Sequence, residues 1–131
     1  LRNKITELFL FFEYNLSKKS ISITEVKTMT LLTAENFNKE VKGSELPVFI
    51  DFYADWCGPC RMAAPIVEQL SEELKGKVKV YKVNVDAEPE LAQHFGIISI
   101  PTFMLIKDNK IVSRFSGLKN KQELKNIILS S

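Results

Sequence analysis

The 131-residue sequence has two cysteines, one histidine, five glycines and five prolines. Two thiols and His94 give at most three soft ligands. One chain therefore lacks the four that a structural zinc site normally takes. A disulfide scaffold is also excluded, because both cysteines fall within four residues and a ring that small constrains little chain. No apolar run approaches the ~20 residues of a membrane span. The N-terminal run Leu8-Phe9-Leu10-Phe11-Phe12 falls short of the roughly 7–15 apolar residues of a signal-peptide core. Neither sign of charge dominates, with 18 Lys/Arg against 16 Asp/Glu. The net charge of +2 gives no electrostatic case for nucleic acid.

What is present fits one globular domain with a core. Hydrophobic residues make up 45% and charged residues 26% of the chain. The basic excess belongs wholly to residues 1–28, since residues 29–131 carry equal numbers of acids and bases. Residues 1–25 lack glycine and proline, and Ile5, Leu8, Phe9, Phe12 and Leu16 fall at helical spacing. This extension fits three readings: a leader, sequence ahead of a start at Met29, or a helix that packs on a partner, a second copy or a membrane surface. Glu7 and Glu13 count against an organelle transit peptide.

From residue 26 the pattern is regular. Val26–Leu32 is an expected strand. Thr33 is placed to cap a helix to about Lys42, with Phe37 and Val41 inward. Gly43 and Pro47 punctuate the way into a buried strand over 47–53. A helix from Cys57 turns Ala63, Ile66, Val67, Leu70 and Leu74 to one side, with a kink expected at Pro65 and an end at Gly76. Alternation predicts a strand over 77–85, and residues 88–95 read as a short helix. Thr102–Lys107 and Lys110–Phe115 form a hairpin across Asp108-Asn109. Asn120 and Glu123 make a capping box for a last helix whose inward residues are Leu124, Ile127 and Ile128. The order βαβαβα-ββα predicts an α/β fold: a central mixed sheet, parallel in part, with helices on both faces.

The chemistry centres on Trp56-Cys57-Gly58-Pro59-Cys60. Two thiols at this spacing can close a small disulfide ring and open it again. Cys57 falls where a strand meets a helix N-terminus. Unpaired N–H groups and the positive dipole end stabilise a thiolate there. The thiolate is the nucleophile of disulfide exchange, so the position suits redox work. Asp51 is a carboxylate inside an apolar strand, where burial disfavours its charged form.

The string Asp51-Phe52-Tyr53-Ala54-Asp55-Trp56-Cys57-Gly58-Pro59-Cys60-Arg61-Met62 with Pro65, then Lys82, Ile100-Pro101-Thr102 and Gly117, strongly resembles the thioredoxin family over about residues 26–131. That resemblance implies the thioredoxin fold and a protein disulfide reductase. It implies Cys57 as attacking nucleophile, Cys60 as the deeper resolving thiol, and Asp51 as the group that takes the Cys60 proton. Lys82 resembles the lysine that moderates that carboxylate's charge; by itself it reads as a solvated strand lysine. Gly58-Pro59 resembles the reducing members, and Pro101 matches the family's cis-proline. Trp56, Gly58, Ile100, Pro101 and Gly117 would rim the client surface, with the backbone at Ile100 pairing with an extended client segment.

The same resemblance implies no bound cofactor and no metal. It implies a redox-active Cys57–Cys60 disulfide, electrons from NADPH through a thioredoxin reductase, and disulfide-containing client proteins as partners. No nucleic acid is expected, and membrane association only through residues 5–16. The expected location is cytoplasmic, or organellar if the extension is a leader. The alternatives are an oxidase or isomerase on the same fold, and a binding subunit that does no redox work. Three departures from the family pattern stand out: Arg61 where lysine is common, and Ser99 and Asn109 where glycine is common. The first two sit near the expected client surface.

Overall fold

The computed structural model describes residues 29–131. The expected helix in the extension lies outside them. In chain order the elements are α1 (Phe37–Val41), β1 (Val48–Tyr53), α2 (Gly58–Glu73), β2 (Lys79–Asn84), α3 (Pro89–His94), β3 (Thr102–Lys107), β4 (Lys110–Ser116) and α4 (Lys121–Ser130). The sheet order is β2-β1-β3-β4, with β1 parallel to β2 and antiparallel to β3, and β3 antiparallel to β4. The mixed α/β architecture expected from the sequence is therefore present.

Side-chain alternation on β1 divides the interior into two halves. Phe49 points into a core with Ala63, Val67 and Leu70 of α2 and Leu124 and Ile128 of α4. Val48, Ile50 and Phe52 point the other way, toward Val41 of α1 and Leu91 of α3. Helices thus cover both faces. Asp51 has the parity of Phe49, so it faces α2, the helix that carries Cys60. Its strand neighbours in register are Lys82 on β2 and Phe103 on β3.

Local signals place the ends of the elements. Asn120 and Glu123 exchange both bonds of a capping box at the start of α4. Asp108 and Asn109 take positive φ, 49° and 63°, as a two-residue type I′ hairpin turn requires. Gly76, at φ +84°, follows the C-terminal end of α2. The helix itself runs on through Pro65.

Three expectations change. Within the described residues the strand expected at 26–32 is a single parallel bridge, Leu31 to Lys82. Helix α1 begins at Phe37, because Thr33 and Asn36 first close a turn with each other's side chains: Thr33 N donates to Asn36 Oδ1 at 2.8 Å and Asn36 N to Thr33 Oγ1 at 3.2 Å. Ile127 is half-buried, leaving Leu124 and Ile128 as the buried pair of α4.

Candidate redox site

Cys57 and Cys60 form a disulfide with Cα atoms 5.2 Å apart. Both side chains are sheltered, at 5% and 3% exposure, in a small cluster with Ala54, Tyr53, Val85 and Ile100. Cys57 is the N-cap of α2, and its Sγ accepts the Cys60 N–H at 3.2 Å. Pro59 occupies the first turn, so it removes one of the helix's unpaired donors and leaves the Cys60 amide aimed at sulfur. No acidic side chain lies in that first turn. Nothing there opposes negative charge on Cys57.

The segment before β3 closes the other side. Cys57 Sγ lies 3.8 Å from the Ile100 carbonyl oxygen, and the Ile100–Pro101 bond is cis. Thr102 Oγ1 donates to the Ser99 carbonyl at 2.6 Å and meets Ser116 Oγ at 2.7 Å. The Gly117 N–H reaches the Pro101 carbonyl at 2.9 Å. Pro101 is buried, whereas Gly58, Pro59 and Gly117 are exposed and Ile100 is half-buried. Gly58 has open space where a Cβ would stand and no positive φ. Neither the backbone conformation nor a close neighbour therefore requires glycine there.

Asp51 is fully buried, and neither carboxylate oxygen has a hydrogen-bond partner among the described residues. Burial raises its pKa to about 7, against the opposing pull of the Lys82 charge. Lys82 does not reach it as an ion pair. Its Nζ sits 4.1 Å from the centroid of the Tyr53 ring.

The structure also brings in residues that the sequence did not mark. Trp56, 68% exposed, donates its Nε1–H to Asp86 Oδ2 at 2.8 Å. Asn84 Oδ1 accepts the amides of Asp86 and Ala87, which shapes the turn that presents Asp86. An Asn two residues ahead of an Asp at a strand end is a turn signal. It does not name Trp56 as the partner. Arg114 on β4 donates to the carbonyls of Phe95 and Gly96, where the segment toward Ile100 begins. In that segment Ile98 is 97% exposed. His94 is an exposed residue of α3, edge-on to Phe95.

A dithiol pair at a strand–helix junction, on a mixed sheet with helices on both faces, defines a protein-disulfide oxidoreductase. Comparison with known proteins gives the same answer. The family model described as Thioredoxin matches residues 28–130. Thioredoxin of Rickettsia felis is 50% identical over 93 residues, 71% of this chain and 89% of that protein. Thioredoxin 1 of a Nostoc species is 45% identical over 93 residues, covering 71% and 87%. Thioredoxin 1 of Synechococcus elongatus is 44% identical over 97 residues, covering 74% and 91%. The chain belongs to the thioredoxin family. Its activity is reduction of protein disulfides by reversible Cys57/Cys60 dithiol–disulfide exchange, with the cysteine pair itself as the redox group.

Proposed function

We propose that Cys57 attacks, Cys60 resolves and Asp51 accepts the resolving proton, in a general reductase recharged by an NADPH-linked thioredoxin reductase. The observation that carries the assignment of roles is the N-cap position of Cys57, whose sulfur receives the Cys60 N–H at 3.2 Å. In the reduced protein the Cys57 thiolate attacks one sulfur of a client disulfide. A mixed disulfide forms, and the departing client thiolate takes up a proton. Cys60 then passes its proton to the Asp51 carboxylate and attacks Cys57 Sγ. The second client thiolate leaves. Two electrons have passed to the client, and Cys57–Cys60 is a disulfide again. A carboxyl with a pKa of about 7 suits both taking and returning that proton near neutral pH.

Trp56, Gly58, Ile100, Pro101 and Gly117 form the client surface in this reading. Exposed Trp56 and Gly58 supply contact, and buried Pro101 supports the Ile100 backbone that an extended client would pair with. The thioredoxin domain takes residues 26–131, supported by the family match from residue 28. A reducing compartment, the cytoplasm, suits a dithiol that must be kept reduced. Insulin reduction by NADPH and thioredoxin reductase tests the reading. Turnover should vanish in Cys57→Ser, while Cys60→Ser should trap a mixed disulfide through Cys57. A trapped species through Cys60 instead would reverse the roles, and no turnover by the intact chain would remove the proposed donor.

A further inference from the structure

Lys82 and Asp51 are register partners on parallel strands, on the face covered by α2. Their charges are opposite. Among the described residues Lys82 nevertheless makes no ion pair within 4.0 Å, and its ammonium rests 4.1 Å from the Tyr53 ring centroid. Tyr53 is two residues beyond Asp51 on β1, hence on the same face. The ring and the ammonium stem both line an open cleft of about 340 Å³ with Ala54, Asp55, Cys60 and Arg61. We infer that Tyr53 is a positioning residue, whose ring face holds the Lys82 ammonium at the edge of this cleft, close to the Asp51 carboxyl and the Cys60 sulfur.

The chemistry of the parts supports this. A lysine head on a four-carbon stem is strongly hydrated and prefers water to a buried carboxylate. An aromatic face offers it a partial electrostatic substitute for hydration without removing all its water. Held there, the cation lowers the proton affinity of Asp51, which burial would otherwise raise further. The other groups around Asp51 do not supply that charge. Phe103 from β3 is apolar, Asp55 is of the wrong sign, and Arg61 lies on an exposed position of α2. Cys60 from α2 is neutral in the disulfide form.

The test is the carboxyl carbon-13 titration of Asp51 in the oxidised protein. Tyr53→Leu should raise its proton affinity about threefold or more, because the freed ammonium moves to water. Tyr53→Phe, which keeps the ring, should leave it unchanged. Tyr53→Leu in a Lys82→Met background should add nothing to Lys82→Met alone. A purely packing role for Tyr53 predicts the opposite sign, since a smaller side chain admits water and lowers the affinity. An unchanged or lowered value in Tyr53→Leu, or an equal rise without Lys82, overturns the inference. If Tyr53→Leu does not fold, the Lys82 side-chain protons of the intact protein decide. They should show an upfield ring-current shift, and its absence overturns the inference. The kinetic consequence rests on the proposed role of Asp51: the pH dependence of mixed-disulfide resolution should move with the titration. A titration that moves while resolution does not would remove that role and leave the Tyr53 inference standing.

Discussion

The Trp56 indole N–H and the Asp86 carboxylate meet at 2.8 Å across thirty residues of sequence. The bond fixes the orientation of a large side chain that is otherwise 68% exposed. A fixed indole beside the disulfide loses less freedom when a client docks.

Asp86→Ala should therefore weaken client reduction more than it weakens the fold. One hydrogen bond of this kind is worth about 1 kcal/mol, which corresponds to about a fivefold loss in kcat/KM, carried mainly by KM. The chain has a single tryptophan, so its fluorescence anisotropy reports the loosened ring directly. Unchanged anisotropy and unchanged KM would mean that Asp86 does not hold the indole.

Asp51 makes the fold depend on pH in a defined direction. Its pKa is about 7 in the folded protein and 3.8 as an ordinary carboxyl. Between these values the native state binds more protons than the unfolded chain, so stability falls as pH rises from about 4 to 7 and is level above that. The gap corresponds to about 4 kcal/mol at most. Asp51→Asn should flatten this part of the profile, matching the parent near pH 4 and exceeding it at pH 8. Urea unfolding of the oxidised protein across this range measures it. A parent profile that stays level from pH 4 to 8 would contradict a raised Asp51.

Arg114 holds the segment that leads to Ile100 by binding two backbone carbonyls, Phe95 and Gly96, at the end of α3. Arg114→Met should cost about 1 kcal/mol of stability. Amide exchange should accelerate over residues 95–99 and stay unchanged in β1, because the released contacts are local. Faster exchange across the whole sheet would show a global effect instead.

The parts of this molecule that local pattern controls were legible in the sequence. A continuous apolar run marks β1 and alternation marks β2, Asp108-Asn109 marks the hairpin turn, and Asn120 with Glu123 marks the capping box. Cys57 at the strand–helix junction and Asp51 within an apolar strand were readable for the same reason. The family resemblance added the distant Pro101 and Lys82. Residues 29–32 have the pattern of a strand but do not form one, because an edge segment has one partner and here only Leu31 bridges to β2. Helix α1 starts later than its pattern predicts, because the Thr33–Asn36 pair spends both side chains on a preceding turn. Asp86, Tyr53 and Arg114 act through partners that only the folded chain brings near. No spacing in the sequence points from Trp56 to Asp86, or from Lys82 to the Tyr53 ring.

Ile98 should select among clients. It is 97% exposed, two residues before Ile100, so its Cα lies within about 7 Å of the Ile100 Cα. A client strand pairing with Ile100 would bring a residue flanking its cysteine beside this aliphatic side chain. Burying it favours apolar neighbours, at about 25 cal/mol per Å² of apolar surface covered. Ile98→Asp should thus lower kcat/KM about three- to tenfold for disulfide peptides with leucine or valine beside the cysteine. It should raise kcat/KM for the same peptides with lysine there. Thermal stability should change little, since the side chain makes almost no contact with the fold. A panel of peptides differing only at the flanking position separates the outcomes. A uniform loss across the panel would point to a distorted Ile100 backbone, and no change at all would put Ile98 outside the client surface.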